Sequence, residues 1–180
     1  MKNLFTLLAT TAIVGLMAPA YAADVSADSK VTFEAKDNGG YESEASSKAV
    51  TAGGTIKTTE KSVDVDIDAD GKVNKTVETK AVTDPEGLMN RSETTTATEL
   101  DEKSDGGLDK KVTTEEEKAD GTNVTTETKT DVDVDSKGNV EKTVKTEKTV
   151  DPEGMLNKMR ETTEVKVKNG VVVEEHKEIK

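Results

Sequence analysis

Two stretches of alternating acids carry the residue pattern with the most chemical potential. Asp64, Asp66 and Asp68 alternate with Val63, Val65 and Ile67, and Asp131, Asp133 and Asp135 recur in the same alternation further on. On an extended strand every second side chain points the same way, so such acids share one face at about 7 Å spacing. Rows of carboxylate oxygens suit a hard divalent cation, Ca²⁺ above all. Asp70 carries the first row into a glycine turn, which makes Asp66, Asp68 and Asp70 the candidate metal ligands. The competing reading is structural. The acids form the solvated face of a half-buried sheet, partly neutralised by lysines on neighbouring strands, and acids at that separation repel only modestly in water.

The run Asp66-x-Asp68-x-Asp70-Gly71, followed by Val73, resembles the opening of an EF-hand loop with its hydrophobic eighth position. The resemblance covers these few residues alone. Val77 stands at the twelfth position, where that family places a bidentate glutamate, and Lys137 replaces the third acid in the second stretch. Catalytic chemistry has less to build on. His176 is the only histidine, and it sits in the polar run Val173-Glu174-Glu175-His176-Lys177 with no evident nucleophile nearby. Carboxylates are too numerous for one acid/base pair to stand out. The chain has no cysteine, which excludes disulfides, thiolate metal sites and a thiol nucleophile. No activity is expected, and the protein reads as a non-enzyme.

The elements that position these acids follow from a repeat. Val63 to Thr83 passes through Ala69-Asp70-Gly71 and ends at Asp84-Pro85-Glu86-Gly87. Thr130 to Val150 passes through Ser136-Lys137-Gly138 and ends at Asp151-Pro152-Glu153-Gly154. Gly71 to Gly138 and Pro85 to Pro152 are both offset by 67 residues, so residues 55–100 and 122–170 form an internal duplication. Each proline turn runs into an apolar pair, Leu88-Met89 and Met155-Leu156, which are the candidate interaction residues. Glycine-bearing turns recur at intervals near sixteen residues, separated by stretches rich in Val and Thr, whose β-branched side chains favour strands. That period predicts about ten strands in an antiparallel meander.

Turn chemistry selects the register. A three-residue loop, Ala69-Asp70-Gly71, pairs Ile67 with Val73 and Val63 with Val77, and it sets Glu60 beside Lys80 on the other face. A two-residue Asp70-Gly71 loop would set the valines against Glu78 and Thr76. Because a slip of one residue exchanges faces, the apolar pattern favours a type I turn closed by a left-handed glycine. The same choice pairs Val134 with Val140 and sets Asp133 against Glu141. Two stretches fit the period poorly: Ala23 to Lys30 reads as a flexible leader, and Glu99 to Lys111 as a polar connection.

The N-terminus explains the destination. Lys2, an apolar stretch from Leu4 to Met17, Pro19, and Ala20-Tyr21-Ala22 predict an export signal over residues 1–22, cleaved before Ala23. The stretch is too short to span a bilayer, and no other long apolar run follows. Strands in an outer-membrane barrel need an apolar band and aromatic girdles, which alternate faces of Asp, Lys, Glu and Thr do not supply. The formal charge of −12 becomes one unit more negative once Lys2 is removed, which disfavours nucleic acid and anionic lipid as partners. Beyond the leader the aromatics are Phe33 and Tyr41, and leucine is scarce. Such a chain builds no thick core. In composition it resembles the Lys/Glu/Thr-rich sheets of spirochaete outer-surface proteins, a likeness that implies strands wetted on both faces. That family's lipidation cysteine is absent here.

The reading is therefore all-β: a thin, elongated, single-layer meander of repeated hairpins over residues 31–180, preceded by a signal helix and a leader over 23–30. High charge with few large apolar residues is also the signature of disorder, which stands as the competing structural reading. The expected role is that of an exported, non-enzymatic structural or interaction protein, periplasmic first and secreted second. Its partner is an unknown protein or envelope component, with no membrane insertion of the mature chain. Divalent-cation binding by the aspartate rows is the alternative.

Overall fold

The computed structural model describes residues 24–86, 91–154 and 158–180. Ten strands follow one another: β1 (Asp24–Ala35), β2 (Tyr41–Thr51), β3 (Ile56–Ile67), β4 (Val73–Asp84), β5 (Ser92–Glu102), β6 (Leu108–Glu117), β7 (Asn123–Val134), β8 (Val140–Asp151), β9 (Met159–Lys168) and β10 (Val171–Ile179). They form one open sheet in strictly sequential order, and every neighbouring pair is antiparallel. The meander expected from the turn period is the observed fold.

Six hairpins share one turn. In the turn after β3 the Gly71 amide donates to the Asp68 carbonyl and the Asp68 amide to the Lys72 carbonyl, with Gly71 at φ 82°. The same pair of bonds closes the turns at Lys36–Gly40, Thr51–Thr55, Lys103–Gly107, Lys118–Thr122 and Asp135–Asn139. Each is the three-residue loop with a left-handed glycine at its third position, a conformation that costs an L-residue about 1–2 kcal/mol. The turn therefore fixes the register: Ile67 faces Val73, Val63 faces Val77 and Glu60 faces Lys80. The second copy behaves alike, with Val134 opposite Val140 and Asp133 opposite Glu141. The last hairpin differs. Asn169 (φ 49°) and Gly170 (φ 83°) make a two-residue loop that pairs Lys168 with Val171.

Two expectations need correction. Residues 24–30, read as a flexible leader, belong to β1 and pair with β2 from Ser26 onward. Val31 and Phe33 give this strand an apolar alternation, and its serines and alanines are small enough to lie flat against β2. Residues 99–111, read as a connection, are mostly strand: β5 runs to Glu102, β6 starts at Leu108, and only the Lys103–Gly107 turn lies between.

Following the register across the sheet separates two faces. One row runs Phe33, Ser43, Val63, Val77, Thr98, Val112, Thr128, Thr146, Thr163 and Lys177. Its neighbours on the same face include Tyr41, Val65, Leu100, Val144 and Val165, and we call this the valine face. Between Ser26 and Ile179 the only acids on its strands are Glu102, Glu116, Glu161 and Glu175. The opposite, acidic face holds both aspartate rows together with Glu42, Glu44, Glu78, Glu93, Glu127 and Glu147.

With one layer, little is fully buried. Ala45 (4 %), Ala49, Val63 (6 %), Val65 and Ser43 (3 %) form the best-covered patch, on the valine face of β2 and β3. Phe33 and Tyr41 cap it, stacked with centroids 5.4 Å apart. Small side chains in β2 are covered by their larger neighbours on β1 and β3, so the patch closes without a second layer.

Candidate functional site

The aspartate rows converge on a lysine. Lys36 enters the first hairpin turn and extends its ammonium over the acidic face of β3. There Nζ lies 2.7 Å from Asp64 Oδ1, 2.9 Å from Asp66 Oδ1 and 3.4 Å from Glu42 Oε1. The side chain of Asn38, in the same turn, donates to Asp66 Oδ1 at 3.2 Å. Sixty-seven residues on, the arrangement recurs: Lys103 Nζ lies 2.8 Å from Asp133, 3.0 Å from Asp131 and 3.2 Å from Asp109. Hydrogen bonds donated to Asp64 and then to Asp66 push the Lys36 ammonium well above the usual lysine range, and those donated to Asp133 and Asp131 do the same for Lys103. In return Lys36, and after it Asn38, hold the Asp66 carboxyl below its ordinary range. Each row thus carries its own counter-cation, built from the adjoining hairpin.

The other predicted ligands have separate work. Asp68 Oδ1 accepts the backbone amides of Asp70 (2.9 Å) and Lys72 (2.8 Å), which folds it onto its own turn. Asp135 does likewise for Lys137 and Asn139, and its carboxyl is lowered first by the Asn139 side chain and then by those amides. Asp66 therefore faces Lys36, Asp68 faces the turn backbone, and Asp70 stands within the loop. The three are not brought together, and no cluster of three or more metal-ligating side chains occurs among the described residues. Leu88 and Met89, and likewise Met155 and Leu156, fall outside the described residues. The proline turns that lead into them lie at the end of the sheet opposite the two lysine turns. His176 is exposed on β10, opposite Glu164.

The lysine clamps were missed as sites, yet a signal exists. Lys36, Gly39 and Gly40 stand 67 residues before Lys103, Gly106 and Gly107, so the duplication extends back beyond residue 55. The glycines are equally paired. A Cβ at Gly40 would run into the Val65 carbonyl oxygen, and one at Gly107 into that of Val132. At the other end, Glu86 covers Gly54 as Glu153 covers Gly121. The repeating unit is four strands, and the sheet holds two units plus β9 and β10.

The acidic face also carries an open recess of about 420 Å³ across β1 to β5, lined among others by Lys30, Glu44, Glu60, Glu78 and Lys80. Its lining mixes charges of both signs, the Lys30 and Lys80 ammoniums among the Glu44, Glu60 and Glu78 carboxylates. Comparison with protein-family models, curated proteins and solved structures finds no match to this chain.

Proposed function

We propose that this is an exported, non-enzymatic protein of the cell envelope, periplasmic in the first instance, whose sheet serves a structural or interaction role. The observation that supports this most directly is the repeated four-strand unit. It spreads chemistry over two broad faces, one acidic and one rich in Val and Thr, instead of gathering it in a cleft. The lysine clamps fit the same reading, since each offsets part of the charge of its aspartate row and ties neighbouring hairpins together. The export signal over residues 1–22 supplies the compartment, and an envelope protein is the class of partner that a wide, wet sheet suits.

Two measurements test the reading. Cell fractionation followed by N-terminal sequencing is expected to find the chain in the periplasmic fraction, beginning at Ala23. Recovery from the cytoplasm with Met1 intact overturns the compartment. Photo-crosslinkers placed at Thr95 and Thr113 on the acidic face are then expected to capture a defined envelope component in intact cells. Free diffusion of both variants, with no adduct formed, overturns the interaction role.

A further inference from the structure

The sheet offers another molecule two edges and two faces. Both edges are irregular. β1 shifts register between Asp24 and Ser26, and β10 shifts between Val172 and Glu174, whereas β2 to β9 pair with one another without a shift. Bulges confined to outer strands are a standard obstacle to strand addition, because they break the run of outward amides and carbonyls. The acidic face repels a second copy of itself. The valine face has neither protection. Its charged residues are sparse and of both signs, and lysines such as Lys61, Lys75 and Lys142 can lay their methylene stems along the sheet while the ammonium reaches water.

That face has a directional pattern. Phe33, Tyr41, Val65, Ile67, Val73, Leu100, Leu108, Val132, Val144 and Val165 lie toward the end of the strands that holds the lysine turns. Toward the proline turns the same face is mainly Thr, Ser, Lys and Glu. The result is an apolar band crossing the sheet from β1 to β9. An apolar sheet face is normally covered by a second layer, and this chain supplies no second layer among its described residues.

We propose that the mature chain dimerises face to face through this valine face, so that a second copy provides the missing layer of a β-sandwich. The area is sufficient. Strands about 4.8 Å apart and rising about 3.4 Å per residue give each face roughly 1,600 Å², so the apolar half of two facing copies covers about 1,600 Å², a standard stable interface. A twofold axis parallel to the strands, between β5 and β6, lays the two bands on each other because it keeps the lysine-turn ends together. It also brings Lys110 of one copy toward Glu102 of the other. Neither residue forms an ion pair within the chain among the described residues.

The absence of cysteine makes the test direct, since any thiol cross-link in a single-cysteine variant is intermolecular. The experiment uses the chain from Ala23 onward, which contains every described strand. Sedimentation is expected to give twice the monomer mass. In stacked layers about 10 Å apart, cysteines beside the axis stand too far apart for a direct disulfide, so a short flexible bismaleimide should cross-link Thr98→Cys and Val112→Cys on the valine face and leave Thr95→Cys and Thr113→Cys on the acidic face largely monomeric. The double variant Thr98→Lys/Thr128→Lys, with its strand circular dichroism retained, should weaken association by at least about tenfold. A chain that stays monomeric at high micromolar concentration overturns the proposal. So does a dimer that cross-links through the acidic-face cysteines, or one indifferent to the two lysines.

Discussion

Ser43 Oγ lies in the best-covered part of the sheet, between Phe33 on β1 and Val63 on β3, and finds no hydrogen-bond partner among the described residues. A buried hydroxyl left unpaired costs more than it contributes, so Ser43→Ala is expected to stabilise the chain by about 1 kcal/mol, read as a rise in the urea midpoint with unchanged slope. Lys36 presents the opposite case. Lys36→Met removes the cation that Asp64, Asp66 and Glu42 share and leaves three carboxylates facing one another. Its melting temperature should fall, and millimolar Ca²⁺ should restore part of the loss, while the same ion leaves the unsubstituted chain unmoved in a thermal-shift assay. The pH response follows from the same pairs. Asp66, Glu93, Glu127 and Asp135 sit below their ordinary range, mainly through hydrogen bonds from Lys36, Lys80, Lys129 and Asn139 respectively. Their contribution is present above the unfolded carboxylate range near pH 4 and is lost as pH falls through the lowered folded values. Lys36 and Lys103 are raised, so theirs is present below about pH 10.5 and is lost as pH rises through the folded values. Melting temperature against pH should show a plateau between these limits and a decline on either side.

Strands at the rim and in the middle of the sheet differ in what holds them. β10 is exposed along its whole length and pairs with β9 alone, whereas β3 is hydrogen-bonded on both sides and contains Val63 and Val65. Hydrogen exchange is expected to proceed inward, with the amides of β10 exchanging first and those of β3 and β4 last, and mass spectrometry of peptides from each strand measures the order. At this scale most of the architecture was legible in the sequence. The glycine at the third loop position, with valines on either side, fixes one register, and the same turn recurs in six hairpins. Legibility failed where side-chain contrast was weak. Residues 24–30 are small and polar, so only their pairing with β2 reveals a strand. The candidate site was half legible. The acid rows were evident, but Lys36 lies 28 residues from Asp64 in sequence, and only the hairpin fold brings the two together. The apolar pairs after the proline turns, Leu88-Met89 and Met155-Leu156, were legible as a pattern and stay a matter of sequence.

A sheet one layer thick removes less surface from water than a globule of equal length. The denaturant slope scales with the surface exposed on unfolding, so the monomeric chain is expected to show a urea m-value near the low end of the usual range, about 1 kcal/mol/M. Strand order is sequential throughout, so each strand is stabilised only by its immediate neighbours, in the manner of repeat proteins. The four-strand period has a consequence for how such a molecule changes size. A unit of 67 residues begins and ends at equivalent points of the meander, so duplicating it in the gene adds four strands, or about 19 Å of width. The new seam is of a kind the protein already makes between its two existing copies. Breadth becomes a quantity set by copy number, and a lineage carrying this sheet can widen or narrow it in fixed steps without inventing a single new contact.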